Sequence, residues 1–174
     1  MNNNFLVKSA DLSAINSFIE QLVNCDNEEN IKLILFDSTH ISFARFQNNR
    51  HLLIPIANDV EKIHGLFSWL IATVKERQLL LSQFECLDVK SFNSLAKAIG
   101  HEVLSNIYLI INEAYYIRSE LSKEDYIPLF LDSAPVGIHI ILFTKFSPSK
   151  LQLGLAADLL ETCSIQQLNN YFFD

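Results

Sequence analysis

The groups in this 174-residue chain that could do chemistry are its 5 histidines, 3 cysteines and 20 acidic residues. Glu61-Lys62-Ile63-His64 has the E-x-x-H spacing that sets a carboxylate and an imidazole on one helical face. A bundle di-metal centre needs that motif twice, with two further glutamates. His101-Glu102 lacks the second histidine of H-E-x-x-H. His40 and His51 flank a stretch that reads as a hairpin, and with His64 or Glu61 they could form a His/His/Glu ligand set. No carboxylate is spaced to orient either imidazole, so both are read as solvated strand-end residues. Glu28-Glu29 and Glu124-Asp125 read as loop charges rather than an acid/base pair in a pocket. Cys25, Cys86 and Cys163 are too scattered for a disulfide framework or a Cys₄ zinc site and read as reduced thiols.

The 4 glycines, Gly65, Gly100, Gly137 and Gly154, stand far apart. Phosphate-cradling loops need clustered glycines for close backbone approach, so neither a P-loop nor a dinucleotide fingerprint can be written here. There is no G-x-S-x-G nucleophile elbow either. The expectation is therefore no catalytic residue, no metal site and no cofactor. His139, inside the strand-like run Ile138-His139-Ile140-Ile141-Leu142-Phe143-Thr144-Lys145-Phe146, shares a face with Ile141 and Phe143 and reads as packing.

The elements that would position these residues follow from periodicity. Leu12, Ile15, Phe18, Ile19, Leu22 and Val23 recur at helical spacing after Asp11, which predicts a capped helix over residues 12–24. Residues 31–36, 40–46 and 51–57 read as three strands. Their joins, Asp37-Ser38-Thr39 and Gln47-Asn48-Asn49-Arg50, are short enough to imply an antiparallel meander. Asp59 caps a second helix running to about Leu81, and a shorter helix around Phe92, Leu95, Ala96 and Ile99 stops at Gly100. Residues 104–120 read as a long strand or a hairpin bent at Asn112-Glu113, and Tyr126 to Leu131 as another strand. Ile138 to Phe146, apolar on both faces near its start, reads as a central strand covered by helices. A last helix opens at Ser147-Pro148.

With hairpin-length joins and no strict βαβ alternation, the predicted fold class is α+β. It is one domain over residues 1–174, with a largely antiparallel sheet covered by N-terminal, central and C-terminal helices. A doubly wound nucleotide-binding sheet is disfavoured.

The formal net charge is −7, with no Lys/Arg cluster, so the electrostatic footprint of nucleic-acid binding is missing. The chain is 49% hydrophobic and 19% charged, with mean hydropathy +0.19. That apolar excess predicts a protein partner or a homodimer. No apolar run reaches the ~20 residues of a membrane span, and Met1 to Asp11 carries no targeting pattern. A cytoplasmic location is expected.

Leu104 to Ser119, then Asp132-Ser133-Ala134-Pro135-Val136-Gly137, then Leu142-Phe143 resemble the chorismate lyase-like pattern. Leu33-Ile34-Leu35-Phe36-Asp37-Ser38-Thr39 is similar to that family's early turn. The resemblance implies an aromatic-carboxylate pocket, with Arg118 and Gly137 as ligand-binding positions. This sequence departs from the pattern at Ser105-Asn106, where the family's carboxylate-binding arginine would stand, and has no matching C-terminal glutamate. Two functions are therefore expected in order: a non-catalytic protein-binding adaptor, assembly factor or secretion-type chaperone, and alternatively a chorismate lyase-like pocket protein, enzyme or degenerate sensor.

Overall fold

A computed structural model describes residues 5–8, 11–24, 30–113, 129–144 and 165–167. The elements are strand β1 (Phe5–Lys8), helix α1 (Leu12–Asn24), strand β2 (Ile31–Asp37), a 3-10 turn (Ala44–Phe46) and helices α2 (Val60–Gln83) and α3 (Val89–Ile99). Strand β3 (Asn106–Asn112), a second 3-10 turn (Ala134–Val136), strand β4 (Ile138–Thr144) and strand β5 (Ile165–Gln167) follow. The strands form one sheet in the order β2-β3-β4-β1-β5, and every pairing in it is parallel.

The predicted α+β class with a largely antiparallel sheet is thus corrected to a parallel α/β sheet. The predicted meander fails at Asp37. Its carboxylate accepts hydrogen bonds from Thr39 N (3.0 Å) and Oγ1 (2.6 Å), Ser42 N (2.6 Å) and Phe43 N (3.3 Å). The chain is drawn out of the sheet instead of turning back within it. Phe43 and Phe46 bury over one sheet face with α1, and the chain returns to the start of β2. There His51 O accepts from Leu33 N (2.7 Å) and Leu33 O from Leu53 N (2.8 Å). Leu52 and Ala57 then bridge Leu33 and Phe36 in the parallel sense. The predicted second and third strands are this crossover and its return. Residues 129–131, expected as strand, are helical, and 126–128 lie outside the described residues.

Alternation explains why the strands read as continuous apolar runs. Ile34, Phe36, Ile107, Leu109, Ile111, Ile138, Ile140 and Leu142 face a core with α2 and α3. Leu33, Leu35, Ile110, Ile141 and Phe143 face a second core with α1. A parallel sheet buried on both faces needs apolar residues at nearly every position, and all seven residues of β4 are buried. The expectation of a central, helix-covered strand there holds.

The helix boundaries follow local chemistry. Asp11 Oδ1 accepts from Ser13 N at 2.8 Å at the start of α1. Asp88 and Ser91 form a reciprocal capping box before α3, and Gly100 ends that helix with φ 72°. The predicted C-terminal helix lies outside the described residues.

Candidate functional site at the carboxyl rim of the sheet

In open parallel sheets, ligands bind beyond the carboxyl ends of the strands where the strand order reverses. Here it reverses at β1, whose neighbours β4 and β5 both come later in the chain. Register brings Asp37 opposite Asn112 and Lys8 opposite Thr144. Asp37, Ser42, Asn112, Glu113 and Thr144 are all buried along this rim.

These polar groups form one connected chain. Asn112 Nδ2 donates to Ser42 Oγ (2.8 Å), Ser42 Oγ contacts Thr39 Oγ1 (2.7 Å), and Thr39 Oγ1 donates to Asp37 Oδ1 (2.6 Å). Burial by itself would raise the Asp37 pKa. The Thr39 side chain and the Thr39, Ser42 and Phe43 backbone amides outweigh it and hold the carboxyl below the usual carboxylate range. Glu113 follows Asn112 with φ 59° and is also buried. A non-glycine residue in left-handed backbone at a strand end is the kind of strain that collects at functional sites.

At the opposite, amino end of the sheet, Arg77 of α2 is buried at 8% exposure. Its Nη1 donates to Ser105 O (2.8 Å) and Val136 O (2.7 Å), with Gly137 O at 3.5 Å. This guanidinium ties together the entries to β3 and β4. Burial lowers its pKa to about 10, which leaves it charged at neutral pH. Sequence reading overlooked Arg77. The signal was its place in the Leu70, Val74, Leu81 stripe of α2, where a cation must find buried acceptors.

His139 stacks on Tyr108, with ring centroids 4.6 Å apart. Burial first, and the Arg77 charge second, push its pKa down to about 4, so it is neutral at pH 7. It packs, as the alternation indicated.

Gly137 lies at this same amino end, closing the 3-10 turn with φ 74°. A Cβ there would lie 2.9 Å from Asn106 Oδ1 and 3.1 Å from Val89 Cγ1. Turn geometry and close packing thus require glycine. Arg118 lies outside the described residues.

The His/His/Glu set is not assembled. His40 Nδ1 pairs with Asn58 Nδ2 (2.7 Å) beyond the carboxyl end of β2, whereas His51 Nδ1 bonds Ile31 O (3.0 Å) at its start. Among the described residues no group of three His, Cys, Asp or Glu side chains could hold a metal ion. No described helix is long and apolar enough to cross a membrane.

Comparison with known proteins gives this rim a context. The model of the FtsK/SpoIIIE family matches residues 11–153. The DNA translocase FtsK of Campylobacter jejuni is 27% identical over 144 residues, covering 81% of this chain and 15% of that protein. The DNA translocase FtsK of Leptospira interrogans is 28% identical over 138 residues, covering 75% and 15%. The chain therefore spans under a fifth of the length of these relatives.

Among solved structures, Thermomonospora curvata EccC (ATPases 2 and 3) in complex with a signal sequence peptide superposes with TM-score 0.70. The identity is 13%, with 90% of this chain and 30% of that one covered. The conjugation coupling protein TcpA with ATPγS gives 0.64 at 14% identity, covering 90% and 47%.

These matches overturn the chorismate lyase-like resemblance. The strands that carried it are adjacent parallel strands, β3 and β4, and its Pro-x-Gly turn is the 3-10 entry to β4. They also overturn both expected functions, the adaptor or chaperone and the aromatic-carboxylate pocket. The exclusion of nucleic acid conflicts with sequence relatives that are named DNA translocases.

Proposed function

Because the chain belongs to the FtsK/SpoIIIE family, we propose that it is a domain of an ATP-driven motor that moves a polymer. The observation that carries this reading is the family match across residues 11–153, laid on a parallel sheet whose polar residues converge at the carboxyl rim. DNA is the proposed polymer, as the sequence relatives are named for it. The whole of residues 1–174 would be one domain of that motor, working on the cytoplasmic side.

A polypeptide cargo is the second reading. It is favoured by the net charge of −7 without a basic cluster, because phosphate neutralisation by Lys and Arg supplies most non-specific DNA affinity. The two separate in one titration. Fluorescence anisotropy of labelled duplex DNA against rising salt should show binding that weakens as salt increases. No DNA binding at low salt, with saturable binding of a signal-type peptide, would replace the first reading by the second. Binding of neither would remove the motor reading.

Motors of this kind hold Mg²⁺ and nucleotide phosphates with a Gly-rich Lys-Ser/Thr loop between a strand and a helix, and with a strand-borne aspartate. The residues of this chain do not fit that group. Only Ser9, Ala10 and Asp11 separate β1 from α1, with neither glycine nor lysine among them. At the end of the internal strand β3, the residue is Asn112.

A further inference from the structure

We propose that this domain binds no Mg²⁺–nucleotide of its own, because its rim is closed by the hydrogen-bond chain Asn112 to Ser42 to Thr39 to Asp37. The proposal rests on the motor-domain reading above and concerns which members of such a motor turn over nucleotide.

Proton counting fixes the direction of the chain. The ionised Asp37 carboxylate only accepts, so the 2.6 Å contact uses the single hydroxyl proton of Thr39. The 2.7 Å contact between Thr39 and Ser42 must then use the Ser42 proton. Ser42 Oγ has nothing left to donate and accepts from Asn112 Nδ2 at 2.8 Å. Only a donor works at position 112. A metal-holding aspartate would face an oxygen without a free proton and would sit across the ladder from Asp37. The rim is therefore complementary to a neutral amide rather than to a cation-binding carboxylate.

The remaining valences of Asp37 are also filled. Oδ2 takes Ser42 N at 2.6 Å and Phe43 N at 3.3 Å, and Oδ1 also takes Thr39 N at 3.0 Å. This carboxylate is an anchor for the crossover. A divalent cation could recruit it only by dismantling the turn that covers the α1 face. With the three-residue link after β1, the phosphate side and the metal side of a nucleotide site are both wanting.

The test uses the full chain, first shown to be folded by a cooperative thermal melt. Melting is repeated with Mg²⁺ alone and with millimolar Mg·ATP, and fluorescent mant-ATP is titrated directly. The backbone amides of Thr39, Ser42 and Phe43 are followed by hydrogen exchange with and without nucleotide. The expected result is no shift in melting temperature and no saturable mant-ATP signal. Those three amides should be slow to exchange in the nucleotide-free protein and unchanged by nucleotide. Saturable nucleotide binding, or nucleotide-dependent protection of those amides, would overturn the proposal while leaving the motor reading intact. The polymer titration on the same sample tests that reading separately.

Discussion

The substitution Asn112→Asp interrogates the rim most directly. It removes the amide proton that Ser42 Oγ accepts at 2.8 Å and puts a carboxylate beside an oxygen whose proton is committed to Thr39. Loss of the buried hydrogen bond costs about 1 kcal/mol net, and an acceptor facing an acceptor adds about 1–3 kcal/mol. Asp37 stands opposite in the ladder. At a strand spacing of about 5 Å and an effective dielectric of ~20, repulsion between the two carboxylates reaches about 3 kcal/mol. These contributions overlap, because the introduced group relieves them by taking up a proton, so the expected destabilisation at neutral pH is about 3–5 kcal/mol.

Protonation reverses the effect. The protonated carboxyl can donate to Ser42 as the amide did. The folded-state pKa of the introduced group is raised above its unfolded value of about 3.9. The deficit is therefore full above that raised value and shrinks as pH falls through it. Urea melts of parent and variant in parallel at neutral pH and at about pH 5 measure the difference. A variant within about 0.5 kcal/mol of the parent at neutral pH, or a deficit that grows on acidification, would refute the directional chain.

His139 is neutral with a folded pKa of about 4 against 6.5 ordinarily. Its contribution is present above the unfolded pKa and is lost as pH falls from there toward 4, by roughly 3 kcal/mol. His139→Phe should flatten the stability profile in that window in urea melts, and a variant profile as steep as the parent's would refute this. Gly137→Ala should cost about 2–4 kcal/mol, from left-handed backbone plus the contacts with Asn106 and Val89. Gly100→Ala, at φ 72° with nothing within 4 Å of the new Cβ, should cost only about 1 kcal/mol. Thermal melts compare the pair, and equal losses would remove the packing argument. Arg77→Met strands the carbonyls of Ser105 and Val136 and should cost about 2–4 kcal/mol. It should also raise the His139 pKa, read by NMR titration, since the Arg77 charge is one of its two depressing causes.

Local structure was legible wherever a few neighbouring residues decide it. Asp11 and Gly100 mark helix ends because capping is settled within one turn. The spans of α1 and α2 follow from apolar spacing, and His139 reads as packing from simple alternation. The missing phosphate loop is likewise a fact of sequence, since four separated glycines cannot form one.

Strand direction was not legible, because it depends on where a connection travels. Asp37-Ser38-Thr39 has the composition of a tight turn, yet its carboxylate gathers the Thr39, Ser42 and Phe43 amides and sends the chain over the sheet. The continuous apolar runs of β2, β3 and β4 pointed to burial on both faces, which hairpin-length joins obscured. Arg77 went unseen because its partners are carbonyls 28 and 59 residues away. The same holds for Asn112 and Ser42, 70 residues apart. Neighbouring residues were enough to place α1, α2, α3 and the apolar runs of β2, β3 and β4. The parallel order and the closed rim emerge in the fold alone, because both are made by contacts between segments distant along the chain.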